Sequence, residues 1–230
     1  MKDITVNGTV VSNDDKIIYD WLDMEAVCPK DVIKALREAD GDEITVLVNS
    51  GGGDVMAGNE IYSALKRYEG RVTAEITGYA ASAATIICCG ADVVRANPGI
   101  QYMIHNVSTW QGGDHKDMES MAEVLRTADK SIANIYHLKT GMDEQSILAL
   151  MDSGASNIGK WMDAKEAKQY GFVDEIIGDN GSLAQPISIY NHFGTVLSDD
   201  VKAKIRREIE ENRQRAKARL NLLRLKGGSK

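Results

Sequence analysis

Residues 44–55 read ITVLVNSGGGDV. Ile44–Ser50 is a nearly continuous apolar run, the pattern of a strand covered on both faces, as in a parallel sheet. Three glycines follow at 51–53, and a helical pattern then runs from about Val55 to Tyr68. Strand, glycine turn and helix make one βα unit. The glycines leave backbone N–H groups in a turn that no side chain obstructs, and the helix start adds a positive dipole end. Such a turn suits an anion. The Lys-Ser/Thr ending of a phosphate loop is absent, and so is the full G-x-G-x-x-G spacing. An oxyanion, a carbonyl oxygen gaining charge, is an equal option.

Outward from this unit the alternation repeats. Ile4–Val11 reads as a strand with a bulge or turn at Gly8, and PKDVIKALREADG as a helix. In that helix Pro29 suits the first turn, Asp31 the positive end and Gly41 the exit. On the other side, RVTAEITG is a strand, ASAATIICCG a short buried helix, and DVVRANPGIQYMIHN two short strands around Asn97, Pro98 and Gly99. From Asp114 to about Leu138 the pattern is helical, with Met118, Met121, Val124, Leu125, Ala128, Ile132 and Ile135 as its apolar positions. At about seven turns this is twice the mean helix or more, long enough to project toward another subunit. Gly141 ends it, and Asp143 suits the cap of a following short helix. In DAKEAKQYG, Asp163 and Glu166 have capping-box spacing, and FVDEII reads as a strand. Strands alternating with helices predict an α/β fold with a largely parallel sheet.

Residues 1–178 read as one large domain, 179–198 as a linker or irregular arm, and 199–230 as a basic amphipathic helix. Val201, Ile205 and Ile209 form its stripe, continued by Leu220 and Leu223. It reads as an oligomer contact, a solvated tail or a partner-binding helix. The chain carries a net charge of −7, yet from Asp199 onward eleven Lys or Arg face five Asp or Glu. The acidic body argues against broad nucleic-acid binding and leaves that question open only at the tail. No apolar run approaches bilayer length, and the opening MKDITVNGTVV lacks the apolar segment of a secretory leader. The expectation is a cytoplasmic protein with no membrane partner. Cys28, Cys88 and Cys89 match no disulfide framework or zinc spacing, and read as buried small hydrophobes.

GYAASAAT, Gly78–Thr85, sets one serine among alanines, after a strand and at the opening of a helix. It lies about thirty residues beyond the glycine turn, a spacing at which adjacent βα turns face one cleft. Small residues that let two elements approach, with Ser82 as a cap, are one reading. A nucleophile on display is the other. The helix dipole would then favour the oxyanion state, with backbone N–H groups of Gly53 and Ala83 as donors. The spacing is not the G-x-S-x-G elbow of α/β-hydrolases. A serine needs a base, and YMIHN supplies His105 at a strand end, where a histidine on its own is more often packed or capping than catalytic. His115, His137 and His192 sit in polar or helical contexts. Nothing pairs with His105 at metal-ligand spacing, so no metal and no cofactor is expected.

In this order NSGGG, GYAAS, MIH and DAKEAKQYGFVDEI resemble the proteolytic subunit of the Clp protease, whose pattern is N-S-P-G-G, G-x-A-A-S, M-I-H and S-A-x-E-A-x-x-Y-G. The resemblance runs from about Ile44 to Ile177. It implies a crotonase-like, Clp protease-type spiral of βα units, with the long helix protruding between subunits of a ring-like homo-oligomer. It also implies a serine endopeptidase acting on polypeptides, with Ser82 and His105 catalytic and Gly53 and Ala83 forming the oxyanion hole. The flanks, NGTVVSNDDKIIYDW and the basic C-terminal helix, resemble the Clp-like head-maturation proteases of tailed phages and prophages. That likeness implies scaffold, capsid or portal proteins as partners, in the host cytoplasm or the prohead.

Two positions depart from the pattern. Gly51 stands where the Clp subunit usually has proline, making the turn more flexible at some entropic cost. Gly159 stands where the triad acid is expected, and SGASNIGK contains no carboxylate. The third member is therefore left open: Asp152 brought in by a shifted loop, a Ser-His dyad oriented by a backbone carbonyl or Asn157, or a site ordered only on assembly. Asp163 already has a capping role. Two other functions share the fold: an acyl-CoA enzyme of the crotonase superfamily, which needs neither Ser82 nor His105, and a capsid-assembly factor with a decayed site.

Overall fold

The computed structural model describes residues 2–154, 158–178 and 197–227. Its elements run β1 (Lys2–Val10), α1 (Lys16–Trp21), β2 (Ala26–Val27), α2 (Pro29–Ala39), β3 (Ile44–Gly53), α3 (Val55–Lys66), β4 (Val72–Ala81), α4 (Ala83–Cys89), β5 (Val93–Ala96) and β6 (Gln101–Ile104). They continue with α5 (His115–Thr140), α6 (Glu144–Met151), β7 (Lys160–Asp163), α7 (Ala164–Gln169), β8 (Glu175–Ile176) and α8 (Asp199–Gly227). One sheet has the order β2-β1-β3-β4-β5-β8. Every pairing along it is parallel, and among the described residues only β6 with β7 is antiparallel.

β3 is the strand its apolar run predicts. Ile44, Val46 and Val48 are buried, and it pairs with β1 on one side and β4 on the other. Gly8 is the expected bulge, with φ +71° and a register shift between Asn7 and Thr9. A Cβ there would lie 2.1 Å from the Glu25 carbonyl oxygen, so only glycine lets the chains approach. β4 divides its length between two neighbours: Thr73–Ile76 pair with β5, and Tyr79–Ala81 pair with β6. That division swings β6, and the histidine after it, beside the end of β4.

Pro29, Asp143 and Asp163 start their helices as expected, and Gly141 ends α5 at φ +73°. α2 stops one residue earlier than its glycine suggests, because Asp40 itself takes the left-handed conformation. FVDEII forms only a two-residue strand. Phe172 and Val173 are spent on the core, and the Asp174 carboxylate takes the Val94 N–H at 2.6 Å. α5 buries Ile132, Ala133 and Tyr136, whereas Met118, Val124 and Leu138 stay exposed. All three cysteines are buried and free, and burial pushes the Cys89 thiol up to about 12.

The start of α8 folds back on α1. Ile205 and Ile209 join Val11, Ile18, Tyr19 and Cys28 in a second small core. Lys202 Nζ and Arg206 reach Asp15 at 2.8 and 2.6 Å. Val201, expected on the same stripe, is exposed. The side chains of Leu220 and Leu223, and residues 179–196 of the arm expected over 179–198, lie outside the described residues.

Candidate active site

Two βα turns build the site. At the first, Ser50 is fully buried. Its Oγ donates to the Gly8 carbonyl at 2.6 Å and accepts from the Gly52 N–H at 3.1 Å, which ties the turn to the β1 bulge. Gly52 (φ +85°) presses on the second turn: a Cβ on it would lie 2.6 Å from the Ala81 oxygen and 2.8 Å from Ser82 Cβ. Asp54 then caps α3 by accepting from the Ala57 N–H at 2.9 Å.

At the second turn, Ser82 lies between β4 and α4 with φ 55° and ψ −126°, a conformation L-residues rarely adopt. Such strain costs about 1–3 kcal/mol and persists only where the surroundings impose it. Here they do. The Ser82 N–H donates to the Met103 carbonyl at 2.9 Å, and its own carbonyl accepts from the Thr85 N–H at 2.9 Å and the Thr85 hydroxyl at 2.6 Å. With its proton so used, Thr85 Oγ1 accepts from the Tyr136 hydroxyl, also at 2.6 Å. Tyr136 and Tyr102 pack on Phe172, with ring centroids 5.4 and 5.2 Å apart. The Ser82 turn is thereby anchored to α5. The alanines serve contact: Gly58 of α3 sits against Ala83, where a Cβ would be 3.2 Å from that of Ala83. The small-residue reading of GYAASAAT is borne out by this contact, but Ser82 makes no side-chain capping hydrogen bond to α4.

His105 follows β6, and its Nε2 lies 2.8 Å from Ser82 Oγ. Both residues are half-buried. They line an open cleft with Gly53, Ala83, Val107 and Tyr136. With the proton on Nδ1, Nε2 can accept from the Ser82 hydroxyl. Ser82, His105, Gly53 and Ala83, separated by more than fifty residues of chain, are thus brought together.

Gly159 is also against the site, and its φ of +72° and surroundings explain the missing side chain. A Cβ there would stand 2.2 Å from the Ile104 oxygen and 2.4 Å from His105 Cβ. Asp152 reaches the neighbouring residue, Oδ1 accepting from Asn106 Nδ2 at 3.0 Å. Asp163 is engaged as a cap for the Glu166 N–H at 2.8 Å. Asn157 lies outside the described residues. Sequence reasoning missed Thr85 and Tyr136, which hold the Ser82 turn, and Asp129, whose Oδ1 accepts the N–H of the cleft residue Val107 at 2.7 Å. Asp129 stands three and seven residues before Ile132 and Tyr136, so its position on the site-facing side of α5 was open to helical periodicity.

Comparison with known proteins agrees in extent. The Clp protease family model matches residues 22–180. The ATP-dependent Clp protease proteolytic subunit 1 of Streptomyces avermitilis is 31% identical over 160 residues, 69% of this chain and 71% of that protein. The ATP-dependent Clp protease proteolytic subunit of Deinococcus radiodurans is 28% identical over 170 residues, 71% of this chain and 80% of its own. Among solved structures, a ClpP1 variant from Listeria monocytogenes superposes with a TM-score of 0.62 at 24% identity, covering 78% of this chain and 92% of that one; at this identity the likeness speaks for the fold alone. The match takes in both βα turns, the histidine strand and the segment that carries Phe172, and it places the chain in the Clp protease family.

Proposed function

We propose that this chain is a serine endopeptidase with Ser82 as nucleophile and His105 as general base. The observation that carries this reading is the 2.8 Å approach of His105 Nε2 to Ser82 Oγ in an open cleft. His105 takes the hydroxyl proton as Ser82 Oγ attacks a peptide carbonyl carbon. The N–H groups of Gly53 and Ala83 hold the oxyanion. Gly53 is preferred to Gly52 as donor because the Gly52 N–H is already given to Ser50. His105 then hands its proton to the leaving amine, and water hydrolyses the ester on Ser82.

The finer assignments rest on the sequence resemblance and three supporting features. The division of β4 between β5 and β6 fits a crotonase-like spiral. The exposed Met118, Val124 and Leu138 fit packing of α5 between subunits of a ring. The flanks point to scaffold or capsid proteins of a phage head as substrates. The test is mass-spectrometric mapping of a fluorophosphonate adduct on isolated and assembled protein. An adduct on Ser82, lost in Ser82→Ala and His105→Ala, is expected. No adduct in either form would favour the decayed assembly factor, for which Gly159 is the best support.

A further inference from the structure

We propose that Asp129, on helix α5, is the acidic positioning residue for His105, in place of a carboxylate at 159. The inference rests on the serine-protease reading above and adds its third member. Three observations carry it. First, position 159 has no room for any side chain beside His105. Second, Asp129 Oδ1 accepts the N–H of Val107, two residues past His105 and itself a wall of the cleft, at 2.7 Å. Third, Ile132 and Tyr136, one and two turns along the same side of α5, line that cleft with Ser82 and His105. The carboxylate is therefore fixed to the segment that carries the histidine by the same helix that anchors the nucleophile turn.

The electrostatics agree. Burial holds the Asp129 carboxyl above the usual carboxylate range, while the Val107 N–H and the charge of His105 both favour its ionised form. Asp152 acts the other way, as a like charge on Asp129. Tyr136, the other titratable wall residue, is pushed up by burial and stays neutral. A carboxylate within reach of an imidazole stabilises the imidazolium that forms when Ser82 gives up its proton.

Asp129→Asn is the informative variant, because an amide oxygen can still accept the Val107 N–H while the charge is gone. The readouts are the rate of fluorophosphonate labelling of Ser82 against pH, and the His105 titration followed by NMR. For Asp129→Asn the expected results are labelling slower on the order of 100-fold or more and a His105 pKa lower by about one unit. Asp129→Glu should recover part of the rate. Wild-type labelling with an Asp129→Asn rate within threefold and an unmoved His105 titration would overturn the proposal alone. So would a larger loss in Asp152→Asn than in Asp129→Asn. Absence of a Ser82 adduct in the wild type would overturn the serine-protease reading and this one with it. If Asp129→Asn does not fold, the Asp129→Glu and Asp152→Asn rates and titrations decide by the same comparison.

Discussion

Putting the family's acid back at position 159 should harm the enzyme rather than repair it. Gly159→Asp places a side chain at φ +72°, where an L-residue costs about 1–2 kcal/mol. Its Cβ would also fall 2.2 Å from the Ile104 carbonyl oxygen and 2.4 Å from His105 Cβ, well inside ordinary contact. One of those neighbours is backbone, so relief means moving the end of β6, and overpacking of this kind costs about 1–3 kcal/mol more. A total of about 2–5 kcal/mol lowers the melting temperature by roughly 5–15 °C in a domain of this size. The movement falls on the residue whose Nε2 is 2.8 Å from Ser82 Oγ, and a displacement of about 1 Å there can slow acylation some 100-fold. Thermal melting and the rate of fluorophosphonate labelling read the two effects separately. Gly159→Ala should show most of the same loss, which would assign it to space and backbone rather than charge. A Gly159→Asp protein that melts within about 2 °C of the wild type and labels as fast or faster would refute the steric argument.

Further outcomes follow from other contacts. Gly52→Ala should abolish labelling and cost about 2 kcal/mol or more, because its Cβ meets the Ser82 turn at a positive φ, whereas Gly78→Ala meets only the tip of the Asn49 side chain and should cost under about 1 kcal/mol by denaturant titration. Tyr136→Phe removes the donor to Thr85 and should cost about 1 kcal/mol while slowing labelling several-fold, as stopped-flow kinetics would show. Labelling should fall as pH drops through about 6.5, the range in which an imidazole takes up its proton, and an undiminished rate at about pH 5 would remove His105 as base. At α8, burial is the largest single influence on Lys202 and lowers its pKa, but the hydrogen bond and charge of Asp15, with Tyr19 and Asp199, together raise it by more, so the folded value lies above the ordinary lysine range. The sign of that shift means the pair stabilises docking below the unfolded lysine pKa and ceases to do so as pH rises through the folded one. Asp15→Ala should free the start of α8 at neutral pH, seen as faster amide exchange over residues 199–209.

How much of this was legible in the sequence depends on how local each signal is. The buried run of β3, the cap residues Pro29, Asp143 and Asp163, and the glycine exit of α5 each act within a few residues, and all appear where expected. β2 and β7 were missed because strands of two and four residues carry little periodicity of their own. β7 exists because β6 offers it an antiparallel partner, and β2 because β1 continues beside it. The docking of α8 was missed for a related reason: Asp15, which receives Lys202 and Arg206, lies nearly two hundred residues away and reads locally as one acid in a polar turn.

The site divides along the same line. Ser82, His105, Gly53 and Ala83 could be placed together because each sits at or just past the end of a recognisable strand, and adjacent strands of a parallel sheet end at one edge. The acid does not follow this rule. Asp129 lies in the middle of a helix, where an isolated carboxylate looks like one more solvated charge, and only the packing of Ile132, Ala133 and Tyr136 reveals which way that side of α5 turns. A motif scan therefore finds an acid missing at 159, while the packing of α5 supplies one from another direction. Because α5 also holds the Ser82 turn through Tyr136 and Thr85, any contact that shifts this helix, including one with a neighbouring subunit at its exposed apolar end, would move Ser82 and Asp129 together.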